Sequence, residues 1–300
     1  MDSVLFWLIK GPLYLISLLP LRILFIFSDM FYFLVYYIVG YRKKVVENNL
    51  KESFPDKSPA ELKKIEKGFY HHFCDYIFET IKLLHISDKE MLRRFKFINM
   101  ELLNEISEDG KPQFLMVGHF GNWEWLTSIN LTCPKRIYMA QVYRPLRNKA
   151  ADKFFLKLRS RFNTFSIAKN DALREIIRLR KEGKQAMVGM IADQTPSPNN
   201  IHLWVKFLNQ NTPCLSGTEK IAKKIDANVL YLDIKKVSRG YYETEFKVIS
   251  LNPKETKEFE ITETYMRMLE ETILRQPQYW LWTHKRWKHK HLYNPESSAS

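Results

Sequence analysis

Apolar residues dominate from Val4 to Val39, a run built mostly of Leu, Ile, Phe, Tyr and Val. Lys10, Gly11-Pro12, Pro20, Arg22 and Asp29 interrupt it. A clean transmembrane helix needs about 20 predominantly apolar residues, and the two prolines break the helical path further. No short apolar region leads into a small-residue cleavage site, so no removable signal peptide is read. Arg42, Lys43 and Lys44 follow at once, a basic flank of the kind that lies on the cytoplasmic side. Residues 1–40 therefore read as a retained membrane anchor that spans once or dips into one leaflet, with a buried helical hairpin as the alternative.

Beyond the anchor the pattern alternates between helical and strand periods. Asn48 to Pro59 carries turn signals, and Ser58 is placed to cap a helix opening at Pro59-Ala60-Glu61. Helical spacing continues through Tyr70, Phe73, Ile77, Ile81 and Leu84. Short apolar runs predict buried strands at Phe114–Val117, Phe165–Ala168 and Ala186–Ala192, with two more at Asn228–Val237 and Tyr242–Ser250. Helices are expected from about Lys149 to Phe162, from an Asn170 cap to Gly183, and over Thr262–Arg275. Strands alternating with helices predict an α/β fold with an at least partly parallel sheet. Residues 41–300 read as one domain behind the anchor.

Composition narrows the classes. In 300 residues, 45% hydrophobic and 27% charged content suffices for a core and excludes global disorder. Cys74, Cys133 and Cys214 lie too far apart for a disulfide framework or a closed zinc site. Lys and Arg total 47 against 33 acidic residues, a net +14. The first forty residues contribute nothing to it, because Lys10 and Arg22 offset Asp2 and Asp29. A basic surface of that kind attracts nucleic acid, anionic lipid or an acidic protein. A membrane-tethered nucleic-acid binder is compatible with the charge, but no DNA- or RNA-binding motif is present.

The candidate chemistry follows the Phe114–Val117 strand, in Gly118-His119-Phe120-Gly121-Asn122-Trp123-Glu124. His119 and Glu124 are separated by about 140° on a continuous helix and would not share a face. They meet if His119 sits on the turn and Glu124 in the first helical turn, with Asn122 as N-cap. The pair then lies at the carboxyl end of a strand, where open α/β sheets bind their ligands. Such a pair makes an alcohol nucleophilic. His119 takes the proton as general base, and Glu124 fixes the tautomer and stabilises the imidazolium. The competing reading is a turn histidine beside a surface glutamate. His71 and His72 are adjacent on a helix and point to different faces, so no metal site is expected, and Cys74 reads as core. A metallohydrolase using His119 is the remaining enzymatic rival.

The string VGHFGNWEW resembles the His-x4-Asp/Glu box of the lysophospholipid acyltransferase superfamily. Its Gly-Asn-Trp-Glu form is similar to the lipid A biosynthesis (late) acyltransferase family. Further blocks support the resemblance in order: Asn48-Asn49-Leu50 to Phe54-Pro55, Val142 to Asn148 around Tyr143-Arg144-Pro145, and Ile191-Ala192-Asp193-Gln194-Thr195. Thr212-Pro213 to Ile221-Ala222 and the aromatic-basic segment Gln278 to Trp287 complete it. Nearly the whole chain is covered.

The resemblance implies a glycerol-phosphate-acyltransferase-like mixed sheet flanked by helices. It also implies transfer of a fatty acyl group from acyl carrier protein or coenzyme A to a hydroxyl of a lipid A precursor. The setting would be the bacterial inner membrane, with the catalytic domain cytoplasmic and no cofactor beyond the acyl thioester. Acylation of another membrane glycolipid or a lysophospholipid from acyl-CoA is the alternative. In this scheme His119 and Glu124 are catalytic. Arg144 is expected to hold a phosphate or the developing oxyanion, and Asp193 and Gln194 to reach the same cleft, although Asp193 with Thr195-Pro196 also reads as a turn. Asn148 is a weaker substrate contact and a candidate helix cap. Trp280, Trp282 and Trp287 are expected to pack, with Lys285 and Arg286 on lipid phosphate.

Overall fold

The uninterrupted apolar runs of the sequence lie at the middle of a seven-stranded sheet. The computed structural model describes residues 11–146 and 148–294. Residues 1–10 of the expected anchor and Arg147 of the Tyr-Arg-Pro block lie outside them. The sheet strands are β1 Phe95–Phe97, β2 Gln113–Val117, β3 Ile137–Tyr143, β4 Phe165–Ala168, β5 Gln185–Ile191, and then β8 Asn228–Ser238 and β9 Tyr241–Ser250. β6 Trp204–Phe207 and β7 Gln210–Pro213 form a separate antiparallel hairpin. Strand order is β1-β9-β8-β2-β5-β3-β4. Every pairing in that sheet is parallel except β8 with β9, so the fold is mixed α/β. All five residues of β2 are buried, as expected of a central parallel strand covered on both faces.

Helices surround the sheet: α1 Leu21–Phe33, α2 Lys43–Ser53, α3 Pro59–Lys82, α4 Asp88–Arg94, α5 Met100–Ile106, α6 Lys149–Arg159, α7 Ala172–Lys181, α8 Gly217–Ile225 and α9 Glu260–Arg275. The α3 start is as expected: Ser58 and Glu61 form a reciprocal capping box with Pro59 at the first turn. Three expectations shift. Asn48 lies inside α2, and the chain turns only at Phe54–Lys57, where the Lys57 N–H donates to the Phe54 carbonyl at 3.2 Å. Asn170 does not cap α7, because a 3-10 turn over Lys169–Asp171 runs straight into that helix. α9 begins at Glu260, before the expected Thr262.

The apolar N-terminal segment is helical over 11–18, breaks at Pro20, and resumes in α1, which passes into a π-helical turn over Leu34–Val39. Leu21–Val39 is a helical stretch of 19 residues, long and apolar enough to cross a membrane. It packs along α3 through Leu21, Leu24, Ser28, Val35 and Tyr36. Its other face leaves Ile23, Ile26, Phe27, Met30, Phe33 and Leu34 exposed.

Candidate active site

The adjacency of β2 and β5 decides which groups meet. Both are parallel, so the chain leaves them at the same edge, where neighbouring strands stand about 4.8 Å apart. His119 follows β2 and Asp193 follows β5. The Nδ1 of His119 lies 2.6 Å from Oδ1 of Asp193, and the His119 backbone N–H donates to Oδ2 at 2.8 Å. The Trp280 indole donates to that same Oδ2 at 2.9 Å. Gly118 is required by packing, since a Cβ there would stand 2.5 Å from Leu269 Cδ1. The turn is further tied to the carboxyl-terminal segment, with Gly121 N–H on the Tyr279 carbonyl and Leu281 N–H on the His119 carbonyl.

The carboxylate is buried and ionised. Burial alone would raise its pKa, but the His119 charge and the donors on both oxygens hold it down at about 2. In the neutral ring with Nδ1–H given to Asp193, the free lone pair lies on Nε2. The ring is 17% exposed, stands edge-on to Trp123 with centroids 5.1 Å apart, and has the Gln194 amide nitrogen 3.3 Å from Nε2. Such an imidazole can accept a proton from an alcohol that displaces the Gln194 contact.

Comparison with known proteins then bears on what the site serves. The family model of bacterial lipid A biosynthesis acyltransferases matches residues 1–289. The chain belongs to that family. It is similar to the lipid A biosynthesis lauroyltransferase of Escherichia coli (strain K12), at 24% identity over 292 residues covering 94% of this chain and 90% of that protein. It is also similar to a lipid A biosynthesis acyltransferase of Haemophilus influenzae, at 22% identity over 184 residues, 61% of this chain and 56% of that one.

For this acyltransferase the structure corrects the expected partner of the histidine. Glu124 does not hold His119. It lies in the first turn of a 3-10 helix over Trp123–Leu131, capped by Asn122 as expected, and both of its oxygens accept from Arg159, at 2.7 and 2.9 Å. That buried fork raises the Arg159 pKa against the lowering effect of burial. Asp193, expected as a substrate contact, takes the orienting position because a strand crossover brings it there, while the local spacing turns Glu124 toward α6.

The other expected contacts divide. Arg144 leaves the carboxyl end of β3, one strand beyond β5. It is exposed and has no hydrogen bond or ion pair among the described residues. Asn148 serves as the α6 cap, its side-chain oxygen accepting from Ala150 and Ala151 at 3.0 and 2.9 Å. Lys285 is exposed. Arg286 is fully buried, which rules out the expected headgroup contact. None of its three nitrogens has a hydrogen bond of normal geometry. Burial lowers its pKa, and the Cys214 thiol and the Asp193 carboxylate supply the nearest opposing potential. Trp280, Trp282 and Trp287 pack together as expected.

Two groups escape the local sequence pattern: Arg159, and Trp280 as a hydrogen-bond donor to the site. A third is His284, whose Nε2 accepts from the Thr195 N–H at 3.2 Å. Burial and the charges of Arg286 and His119, opposed by Asp193, hold this imidazole down at about 4, so it stays neutral. Behind the turn, the Glu79 carboxylate accepts from Asn122 at 2.7 Å and from the Tyr242 hydroxyl at 2.8 Å, and burial raises its pKa. Among the described residues one triad, Asp29, His71 and Asp75, brings ligand atoms close together. The Arg239 guanidinium already bridges its two carboxylates.

Proposed function

We propose that this chain moves a fatty acyl group from a thioester of acyl carrier protein or coenzyme A to a hydroxyl of a lipid A precursor, with His119 as general base and Asp193 as its orienting acid. His119 Nε2 takes the hydroxyl proton as the alcohol oxygen attacks the thioester carbonyl. The tetrahedral oxyanion then collapses, the carbon–sulfur bond breaks, and the imidazolium returns the proton to the departing thiolate. Asp193 holds Nδ1–H in place and stabilises the imidazolium without itself being protonated, the division of labour known from hydrolase triads. No cofactor enters the scheme.

The observation that carries this reading is the 2.6 Å His119–Asp193 contact at the carboxyl edge of the parallel strands, with Nε2 turned to a partly open position. Family membership supports the acyl chemistry and the lipid A-type acceptor. The apolar face of residues 14–39 supports a membrane anchor ahead of a catalytic domain at 41–300, on the cytoplasmic side of the inner membrane. A glycerol-phosphate-acyltransferase-like architecture belongs to the same proposal. The surplus of basic residues suits an acidic carrier protein and a phosphorylated lipid alike, and Arg144, Gln194 and Lys285 remain the proposed substrate contacts.

The test is His119→Ala in full-length protein supplied with a lipid A precursor and either acyl donor. Transfer should fall by about 10³-fold or more, with melting temperature and membrane association retained. A folded His119→Ala enzyme with near-parental turnover would overturn the mechanism, and the faster parental rate between the two donors identifies the carrier.

A further inference from the structure

A polar cavity lies where the apolar segment breaks at Pro20. It encloses about 440 Å³ and is lined by Arg22, Lys82, His85, Glu90, Arg93 and Arg94 beside Pro20 and Leu21. Four permanent cations thus face one carboxylate. Glu90 is already engaged, one oxygen accepting from Arg93 and the other from Arg94, each at 2.5 Å. Arg94 is buried and also donates to the Gly240 carbonyl at 3.2 Å. Lys82 closes the end of the preceding helix by donating to the Ser17 and Leu19 carbonyls, both at 2.9 Å. Arg22 is exposed and has no partner among the described residues. The first turn of the 13-residue α1 lines the same space, so the positive end of its dipole adds to the field. Burial, together with the charge of Lys82 and those of Arg161 and Lys157 outside the cavity, holds the pKa of the His85 imidazole below the ordinary value.

The surroundings bear on which kind of anion fits. Tyr14, Leu15 and Leu18 are exposed on one side of the break, and Ile23, Ile26 and Phe27 on the other. A soluble anion has no use for such flanks, whereas acyl chains lie against them. We propose that this cavity binds the phosphate monoester of an anionic membrane lipid, with Arg22 and Arg93 reaching the phosphate oxygens and the chains resting on the apolar helix faces. A doubly charged group with three acceptor oxygens matches a cluster of cations and guanidinium forks. The site is distinct from the proton-transfer centre. Tyr76 stacks on Trp123 beside His119, and Lys82 lies about 9 Å farther along α3. The proposal therefore does not rest on the acyl-transfer reading.

Full-length protein is titrated with phosphatidylcholine vesicles carrying dioleoyl phosphatidate, dioleoyl phosphatidylglycerol at matched surface charge, or dioleoylglycerol. Phosphatidate should bind about tenfold more tightly than the other two. The double variant Arg22→Gln/Arg93→Gln removes exposed side chains and should lose about fivefold or more of that preference, on the order expected for cations near an anionic surface. Lys181→Gln/Lys224→Gln removes equal charge from exposed positions elsewhere and should keep it. Equal affinity of parent and Arg22→Gln/Arg93→Gln, when melting temperatures match, overturns the proposal. Equal binding of phosphatidylglycerol reduces the site to general surface charge and also overturns it. Displacement by millimolar inorganic phosphate as effective as that by phosphatidate vesicles overturns the lipid source. No acyl transfer is measured, so failure here is separate from failure of the enzymatic reading.

Discussion

Asp193→Asn isolates what the buried carboxylate does, because it exchanges one oxygen for an amino group and keeps the shape. In the structure Oδ2 accepts two N–H donors, the His119 backbone and the Trp280 indole, while Oδ1 alone faces His119 Nδ1. Those two donors dictate the amide's orientation. Its oxygen takes the place of Oδ2, and its NH2 is left pointing at Nδ1. A donor there selects the tautomer with Nδ1 bare and Nε2 protonated, which leaves no base toward the substrate. The charge is lost as well. His119 and the hydrogen bonds hold the Asp193 carboxyl at about 2 although burial pushes the other way. Measured from an ordinary value near 3.9, that depression corresponds to about 2–3 kcal/mol of coupling.

On the proposed mechanism the share of that coupling that belongs to the His119 ring stabilises the imidazolium formed in the transition state, so its loss alone lowers kcat by up to about 10²-fold. The wrong tautomer adds to it, for a total of about 10³–10⁴-fold. KM should change little, because Asp193 is buried and touches His119 rather than substrate. The assay is steady-state acyl transfer by parent and variant over a pH series, with melting temperatures measured alongside. A folded variant with kcat within about threefold of the parent refutes the reasoning. So does a loss confined to KM, which would make Asp193 a binding residue instead.

The same carboxylate makes stability pH-dependent with a definite sign. Its folded pKa of about 2 lies below the unfolded value near 3.9, so its contribution is complete above about pH 4 and is lost as pH falls through 2. Urea unfolding should therefore show the gap between parent and Asp193→Asn widest near neutrality and closing in acid; a constant gap contradicts the assignment. Glu124→Gln and Arg159→Gln should each cost about 1–3 kcal/mol of stability, and the double variant should cost less than their sum, since both remove one buried fork. Strict additivity in denaturant titrations would show the pair uncoupled. Gly118→Ala places a Cβ 2.5 Å from Leu269 Cδ1 and should cost about 1–3 kcal/mol; combined with Leu269→Val the added cost should shrink, and an unchanged melting temperature for Gly118→Ala alone would contradict the steric argument. Arg144→Gln alters an exposed, unbonded side chain, so stability should hold within about 0.5 kcal/mol, while KM for a phosphorylated acceptor rises about tenfold; unchanged kinetics would make Arg144 ordinary surface.

What could be read from the chain follows from how local each signal is. β2, β4, β5, β8 and β9 were legible because their runs stand out from flanking turn residues. β3 was not, since Ile137–Tyr143 alternates only in part between buried and half-buried positions. β1 spans just three residues, too few to show a period. At the site, His119 was found from a turn leaving a strand, a local feature. The nearest carboxylate in sequence is Glu124, whereas the one in contact with the ring is 74 residues away and arrives through the β2–β5 pairing. Arg159 was hidden for the same reason, being 35 residues from Glu124. Trp280 read as core and is core; that its one polar atom ends on Asp193 is a matter of register between the carboxyl-terminal segment and the Phe120 turn.

The charges interrupting the apolar N-terminal run also take on a meaning that composition could not supply. Asp29 counts against a clean spanning helix, yet its carboxylate faces the body of the protein and accepts from Arg239 at 2.6 Å. The same guanidinium binds buried Asp75 on α3, which also accepts from Ser28 of α1 at 2.7 Å. Asp75 lies 3.7 Å from the Lys236 ammonium. Lys236 in turn donates to Nδ1 of His72 at 3.1 Å, and the His72 Nε2–H donates to the Gly121 carbonyl at 3.2 Å. Burial and the Lys236 charge keep that imidazole neutral, so it has one nitrogen to accept and one to donate. The chain of contacts runs unbroken from α1 to the glycine of the His119 turn, whose φ of 58° lies in the left-handed region that favours glycine. Two carboxylates balance two cations along it, and at its buried part, where Asp75 meets Lys236, an unmatched charge would cost several kcal/mol. Ser28 and Asp29 of the apolar segment thus tie that helix to the body of the protein and, through it, to the His119 turn, while Arg22 and the apolar side chains of the other face are left exposed.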